Sequence, residues 1–192
     1  MKFIKTLVAV ATVAAAFSAQ AESNIVTAAA GALTANARLD FRITVPRILF
    51  LRVGTSAGFV DSLGGTNIDR VDFILTPADV SSAVPKAGVS GQGAYGVAAR
   101  VLGNGGNVNF SAAGSGTGLT GVGLPIVPWT QIAPTATGGT LVHPAIGAPA
   151  VALVAVGGVV NQNTVYTFNY TNTTPLPAGI YNGQVTYTAV MP

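Results

Sequence analysis

Short stretches of alternating side chains, separated by glycine-rich turns, constrain the fold of this chain more than any other feature. From Val185 to Met191 every second residue falls on one face, and Thr186, Thr188 and Val190 fall on the other. A period of two is typical of a strand with one buried face. Outside Pro77–Val84, no segment shows a helical period with a capped start and a glycine stop. Many short strands with glycine-rich turns at intervals of roughly ten residues predict an all-β, mostly antiparallel sandwich or barrel.

The predicted strands are rich in β-branched and aromatic residues. They cover residues 38–45, 48–51, 71–75, 95–102, 108–112, 151–156, 165–170 and 185–191. Pro46 ends the first of them or kinks it at a sheet edge. The continuous apolar run Ile48–Leu51 predicts a strand that is buried on both faces or that switches sheets.

The first 21 residues have the features of a cleaved signal peptide. Lys2 and Lys5 precede an apolar run from Leu7 to Phe17, and Ala19-Gln20-Ala21 supplies a small-x-small cleavage pattern. The apolar run is shorter than the roughly 20 residues that a membrane-spanning helix needs. The sequence therefore predicts a signal peptide over residues 1–21 and an exported product.

The remaining chain is interpreted as an N-terminal extension, residues 22–37, followed by one domain, residues 38–192. The extension is built of small residues with weak patterning. It is either a disordered tail, as is common at termini, or an added strand. In the second case one face of that strand would carry Ile25, Thr27, Ala29, Gly31 and Leu33.

Charge is distributed unevenly along the chain. The formal net charge is +3, and loss of Lys2 and Lys5 with the signal peptide reduces it to +1. No basic patch with interleaved aromatic residues is present, so nucleic-acid binding is not expected. All other charged residues lie between Glu22 and Arg100, and residues 101–192 contain none. This indicates a surface that packs against other copies, a membrane or a matrix. The alternative is a low-charge extracellular domain with Thr- and Asn-rich strands.

Residue types that support catalysis are scarce. The chain has no cysteine, which excludes disulfides, thiol catalysis and thiolate metal sites. His143 is the only histidine, and no G-x-S-x-G elbow accompanies it. We therefore interpret His143 as structural and expect a protein that is not an enzyme, with no catalytic residues.

Two further patterns match binding motifs only superficially. Gly116–Gly121 fits G-x-G-x-x-G, but Pro125 follows where a helix would have to begin, so we expect no bound cofactor. The carboxylates Asp61, Asp69, Asp72 and Asp79 lack the dense spacing of a calcium loop, so no metal site is predicted. No aromatic platform accompanies them, as a two-carboxylate glycosidase would require.

Trp129, the only tryptophan, has two interpretations. It either stacks on a ligand such as a sugar, or it plugs the core with its indole N–H bonded to a backbone carbonyl.

The C-terminal region resembles that of bacterial fimbrial subunits. A Pro177-Ala178-Gly179-Ile180-Tyr181 turn leads into the Thr-rich strand from Val185, as in the C-terminal hairpin of fimbrial and related surface subunits. Together with Leu39–Ile43, this ending is also similar to a group of uncharacterised secreted proteins of Gram-negative bacteria. The chain departs from the fimbrial pattern because it has no cysteine pair, and Met191 stands where many such subunits have a penultimate tyrosine.

The fimbrial resemblance implies an immunoglobulin-like β-sandwich that lacks one strand. A periplasmic chaperone, and then the N-terminal extension of the next subunit at an outer-membrane usher, would supply that strand by β-strand addition. The residues implied in assembly are the extension face named above and, in the terminal strand, Val185, Tyr187, Ala189 and Met191.

The expected function is that of a non-enzymatic structural or adhesive surface subunit, extracellular or in a fimbrium, that associates with copies of itself. One alternative is a small outer-membrane barrel of about eight strands, the only interpretation that involves membrane contact. Another is a carbohydrate-binding sandwich that uses Trp129, Tyr166, Tyr170 and Tyr181, provided that they share an exposed face.

Overall fold

The computed structural model describes residues 22–54, 68–90 and 96–192, and the predicted signal peptide lies outside these ranges. The described residues are mostly β, with 39% in strands and 5% in helices, which agrees with the predicted all-β class. The chain divides into two units, of which the first ends at Val45 and the second spans Pro46–Pro192.

Residues 22–45 of the first unit contain neither helix nor strand. The strand predicted over residues 38–45 is therefore wrong. Its alternation is real, but none of its residues adopts strand structure, and all four apolar side chains are largely exposed. Their exposed fractions are 76% for Leu39, 86% for Phe41, 88% for Ile43 and 71% for Val45. A solvent-exposed ion pair joins Glu22 to Arg38 at 2.9 Å.

The second unit contains twelve strands and one short α-helix within the described residues. The strands are β1 Leu49–Val53, β2 Val71–Asp72, β3 Lys86–Ala87, β4 Val89–Ser90, β5 Val97–Gly103, β6 Val108–Gly114, β7 Gly118–Leu119, β8 Val127–Pro128, β9 Ile132–Thr137, β10 Val151–Leu153, β11 Val160–Tyr170 and β12 Val185–Val190. Helix α1 covers Pro77–Ser82, and a 3₁₀ turn covers Trp129–Gln131.

All strand pairs are antiparallel, and they form two main sheets. The first has the order β1-β5-β11-β3, with β9 also paired to β11, and the second has the order β10-β6-β12. Two small sheets, β2–β4 and β7–β8, complete the described pairing. In the second sheet Thr188 of β12 lies opposite Ser111 of β6, which sets the register of the terminal strand.

The main hydrophobic core draws residues from both large sheets. Strand β5 buries every second residue, and Val101 is fully buried. Strand β6 contributes Phe110 and strand β11 contributes Tyr166, each also with no exposed surface. Burying a side chain of this size contributes about 1.5–3 kcal/mol relative to leaving it exposed. The predicted period-two patterning of these strands is thus confirmed.

A second, smaller cluster lies apart from the main core. Its buried members are Val127, Ile132 and Tyr170, and half-buried apolar side chains surround them. The last residue of β11, Tyr170, belongs to this cluster, whereas Tyr166 belongs to the main core.

Several predicted elements differ from the observed ones in length or place. The Ile48–Leu51 run is not buried on both faces: it contributes to β1 at the edge of its sheet, where Leu49 is 39% exposed. Strand β9 was not predicted, because its Ala-Pro-Thr-Ala-Thr sequence has weak strand propensity. Helix α1 ends at Ser82, earlier than predicted, and its C-cap residue Ala83 has a left-handed φ of 51°.

Candidate functional site

The terminal strand β12 is an edge strand with one open side. It pairs with β6 on one side, and no other strand of the described residues pairs with it. An edge strand leaves every second backbone N–H and C=O on its outer side available for another strand. Natural edges are usually protected by charged residues, proline or bulges. Residues 185–190 contain no charge and no proline, so β12 is an unprotected edge.

The side chains of β12 alternate as predicted. Thr186, Thr188 and Val190 are exposed. The other face, which carries the four residues implied in assembly, is half-buried, and Tyr187, Ala189 and Met191 pack against the chain's own core. These side chains already contact the core of the same chain, so a partner could pair only with the backbone edge of β12.

The second unit brings β12 close to β1, the edge strand of the other main sheet. The side chains of Met191 and Leu49 approach the same glycine, so that a Cβ on Gly103 would lie 3.3 Å from the Met191 sulfur and 3.4 Å from Leu49 Cδ1. The guanidinium of Arg47 donates to the main-chain oxygens of Met191 (3.4 Å) and Pro192. Two edge strands from different sheets therefore lie on the same side of this unit.

The predicted face of the N-terminal extension is exposed and irregular. Ile25 is 89% exposed and Leu33 52% exposed, and Thr27, Ala29 and Gly31 are exposed as well. The chain bends at residues 29–31, and Gly31 has a φ of 108°, in the left-handed region that favours glycine. These residues thus do not form a continuous extended strand in this chain.

His143 lies in an aromatic cluster that joins the two main sheets. Its ring centroid is 4.7 Å from that of Tyr166 and 5.5 Å from that of Tyr187, in edge-to-face geometry. Its Nε2 and the Tyr187 hydroxyl are 2.7 Å apart in a hydrogen bond whose donor depends on the tautomer.

Burial dominates the protonation of this cluster. It lowers the pKa of His143 to about 4, although the Pro144 backbone acts in the opposite direction. Burial also raises the pKa values of Tyr166 and Tyr187 above the usual range of a phenol. A neutral imidazole among neutral phenols fits the structural role expected of a lone histidine.

Trp129 is half-buried and fills a gap beside two glycines. A Cβ added to Gly183 would lie 2.7 Å from its ring, and one added to Gly114 would collide with its indole nitrogen. The indole N–H donates to the carbonyl of Gly116 at 3.3 Å. This geometry agrees with the core-plug interpretation. The face expected for carbohydrate binding is not present, because Tyr166 is fully buried and Tyr170 is only 4% exposed.

The glycine motif and the carboxylates considered in the sequence analysis do not form a common site. Gly116–Gly121 runs through β7 into a turn and not into a helix, which agrees with a chance motif match. Asp72 pairs with Arg70 at 2.9 Å, and Asp61 lies outside the described residues. In the described part of the chain, no three His, Cys, Asp or Glu residues are grouped closely enough to hold a metal ion.

Asp79 takes part in a local structural network. Its carboxylate accepts hydrogen bonds from Lys86 Nζ at 2.8 Å and from the backbone N–H of Thr76 at 2.7 Å. These donors, Lys86 first, hold the pKa of Asp79 well below its usual range. Asp79 and Thr76 thereby cap the N-terminus of α1 as a capping box.

The structure also contains a cavity of about 580 Å³ that the sequence did not indicate. It borders the second cluster, and its lining comes from residues 70–80, from the β7–β9 region and from residues 176–183. No local signal could have revealed it, because the contributing segments are far apart in the sequence.

Within residues 22–54, 68–90 and 96–192, no helix is both long enough and apolar enough to cross a bilayer. Comparison with protein-family models, with known proteins and with solved structures finds no match for this chain.

Proposed function

We propose that this protein is an exported, non-enzymatic structural or adhesive surface subunit, and that its copies associate by adding a strand to the open edge of β12. The observation that carries this proposal is the unprotected edge itself. Six uncharged residues with good strand propensity present an open row of backbone donors and acceptors. Such an edge is a template for pairing with another chain.

The added strand, in this proposal, comes from the segment Leu39–Val45 of another copy. Its apolar residues recur at every second position and are 71–88% exposed. A free segment with this pattern gains by pairing with a strand edge, which satisfies its backbone and covers its apolar face. Ile25 and Leu33 offer a second, weaker apolar face, which the bend at Gly31 interrupts.

We further propose that the second unit is an immunoglobulin-like β-sandwich. The support is that the two main antiparallel sheets bury their side chains in one shared core. That core is closed, since Val101, Val108 and Phe110 have no exposed surface. Strand addition would therefore extend a complete sheet at β12 and would not need to fill an open groove in the core.

Export, a periplasmic chaperone, an outer-membrane usher and a place at the cell surface belong to the same proposal. The charge-free stretch from residue 101 to 192 supports a surface that meets other copies or a matrix. The amino-terminal Lys2, Lys5 and apolar run support export.

The edge is tested by placing a lysine on β12, with a lysine on the central strand of the same sheet as the control. Thr188→Lys puts a charge on the exposed face of the edge strand, and Ala113→Lys puts one on the exposed face of β6. We expect the processed wild-type chain and Ala113→Lys to form multimers in light scattering and negative-stain microscopy. Thr188→Lys should remain monomeric while keeping its β circular dichroism spectrum. Equal multimerisation of both variants, or a monomeric wild type, would refute the proposal.

The added segment is tested separately. Phe41→Asp combined with Ile43→Asp destroys the apolar face, whereas Thr44→Asp changes only the opposite face. We expect the double variant to stay monomeric and Thr44→Asp to multimerise. Deletion of residues 22–35 should leave multimers intact if residues 39–45 form the strand that pairs with β12. The same deletion should abolish multimers if the segment with Ile25 and Leu33 forms that strand instead.

A further inference from the structure

The cavity beside the second cluster has the size and lining of a small-molecule site. Its volume of about 580 Å³ lies within the roughly 300–1,000 Å³ typical of ligand pockets. Val127, Ile132 and Tyr170 are the most buried residues of its lining. Phe73 and Leu176 are half-buried beside them. A group of large apolar side chains thus converges on space that the described residues leave unfilled.

Hydrogen bonds hold the walls of the cavity in place. The backbone of Asn182 exchanges two hydrogen bonds of 2.8 Å with that of Thr120. The Tyr181 hydroxyl donates to the carbonyl of Pro177 at 3.0 Å. The buried amide of Asn172 donates to the main-chain oxygen of Asp79 at 2.7 Å, which links helix α1 to the segment that follows β11. Hydrogen bonds within the chain itself thus fix these segments, as in a pre-formed pocket.

The electrostatics of the lining indicate what kind of molecule fits. Among the described residues that line the cavity, Arg70 and Asp72 are the only charged ones, and they form an ion pair at 2.9 Å. Their charges offset each other, so a charged ligand would lose hydration without gaining an unpaired opposite charge. An uncharged molecule loses no such hydration energy on binding, and it removes the apolar lining from contact with water.

We propose that this cavity binds an uncharged, predominantly apolar small molecule. Ile180 is 77% exposed and Val80 42% exposed, and both belong to the lining, so they mark the side that is open to solvent. This site is independent of the open edge of β12, because β12 contributes no residue to the lining.

The proposal is tested with N-phenyl-1-naphthylamine, a neutral apolar probe whose fluorescence rises in apolar surroundings. We expect saturable binding by the processed chain with one site per chain, and displacement by 1-decanol. Decanoate, which has the same chain length and a negative charge, should displace the probe at least about 10-fold less effectively. Absence of saturable binding, or equal displacement by decanol and decanoate, would overturn the proposal.

Substitutions at two exposed residues, Ile180 and Val122, test whether the probe binds in this cavity. Ile180→Asp places a carboxylate at the open side of the cavity, and Val122→Asp places one on a fully exposed residue outside the lining. We expect Ile180→Asp to weaken probe binding at least about 10-fold and Val122→Asp to leave it unchanged. Leu176→Trp, which adds volume inside the cavity, should also reduce binding. Equal affinity of all three variants would place the probe elsewhere and refute the assignment.

Discussion

Protonation of His143 should destabilise this protein as the pH falls from 7 to 5. In the unfolded chain the imidazole binds a proton with an ordinary pKa of 6.5, whereas in the folded protein burial lowers the pKa to about 4. Between these two values the unfolded state binds more protons than the folded state, so the free energy of unfolding decreases as the pH is lowered. The contribution of neutral His143 is complete above about pH 6.5 and is lost by about pH 4.

The size of this effect follows from the two pKa values. At about 1.4 kcal/mol per pKa unit, the difference between 6.5 and about 4 corresponds to roughly 3 kcal/mol. The ring of His143 keeps some contact with solvent, since it is only half-buried. Solvent screening therefore reduces the expected loss to about 1–2 kcal/mol.

Urea denaturation between pH 7.5 and 4.5, followed by the fluorescence of Trp129, measures the effect directly. His143 is the only histidine, so no other imidazole titrates in this window. The pKa values of Glu22 and Asp79 are lowered from 4.5 and 3.8 by their partners Arg38 and Lys86, so the stability that they contribute begins to be lost only as the pH approaches those values, at the acid end of this window. In His143→Phe, which keeps an aromatic ring in the cluster, the free energy of unfolding should be nearly constant from pH 7 to 5. A wild type with no pH dependence, or a variant with the wild-type slope, would contradict the reasoning.

Two further predictions concern backbone geometry. Asn172 is buried with a φ of 53° and donates two side-chain hydrogen bonds, so Asn172→Ala should lower the free energy of unfolding by about 2–3 kcal/mol. Asn172→Gly loses the same bonds without the strain and should be less destabilised; the reverse order in urea titrations would be inconsistent with this account. Gly139→Ala would drive a Cβ into the backbone of Asn163, and we expect a loss of at least about 1–3 kcal/mol. The three atoms nearest to a Cβ on Gly105 all belong to the long side chain of Arg47, which can shift more easily than backbone, so the melting temperature of Gly105→Ala should change much less than that of Gly139→Ala.

Much of the β architecture could be predicted from local sequence, because the direction of a side chain in a strand alternates with every residue. The alternation in β12 predicted which residues share a face, and the structure shows that the face with Tyr187 and Ala189 packs against the core. The proline and alanines of β9 carry no such signal. That strand forms because it lies beside β11, which a local pattern cannot indicate.

The open edge of β12 and its proposed partner segment were only partly predictable, because a local pattern does not show which segments pair. Leu39 and Phe41 have the pattern of a strand in the domain, yet they are exposed and unpaired. A period of two shows that a segment can pair, but it does not name the partner. The cavity and the surroundings of His143 were not predictable either, because each is built from residues that are distant in the sequence.

The sequence by itself determined the all-β class, the alternation of the terminal strand and the uncharged character of residues 101–192. These are properties of single residues and of their immediate neighbours. Only the tertiary structure decided that β12 has an open side, that His143 packs against Tyr187, and that a neutral cavity remains beside Tyr170. Sheet edges, side-chain burial and cavities depend on contacts between segments that are distant in the sequence. Strand pairing and core packing determine these contacts.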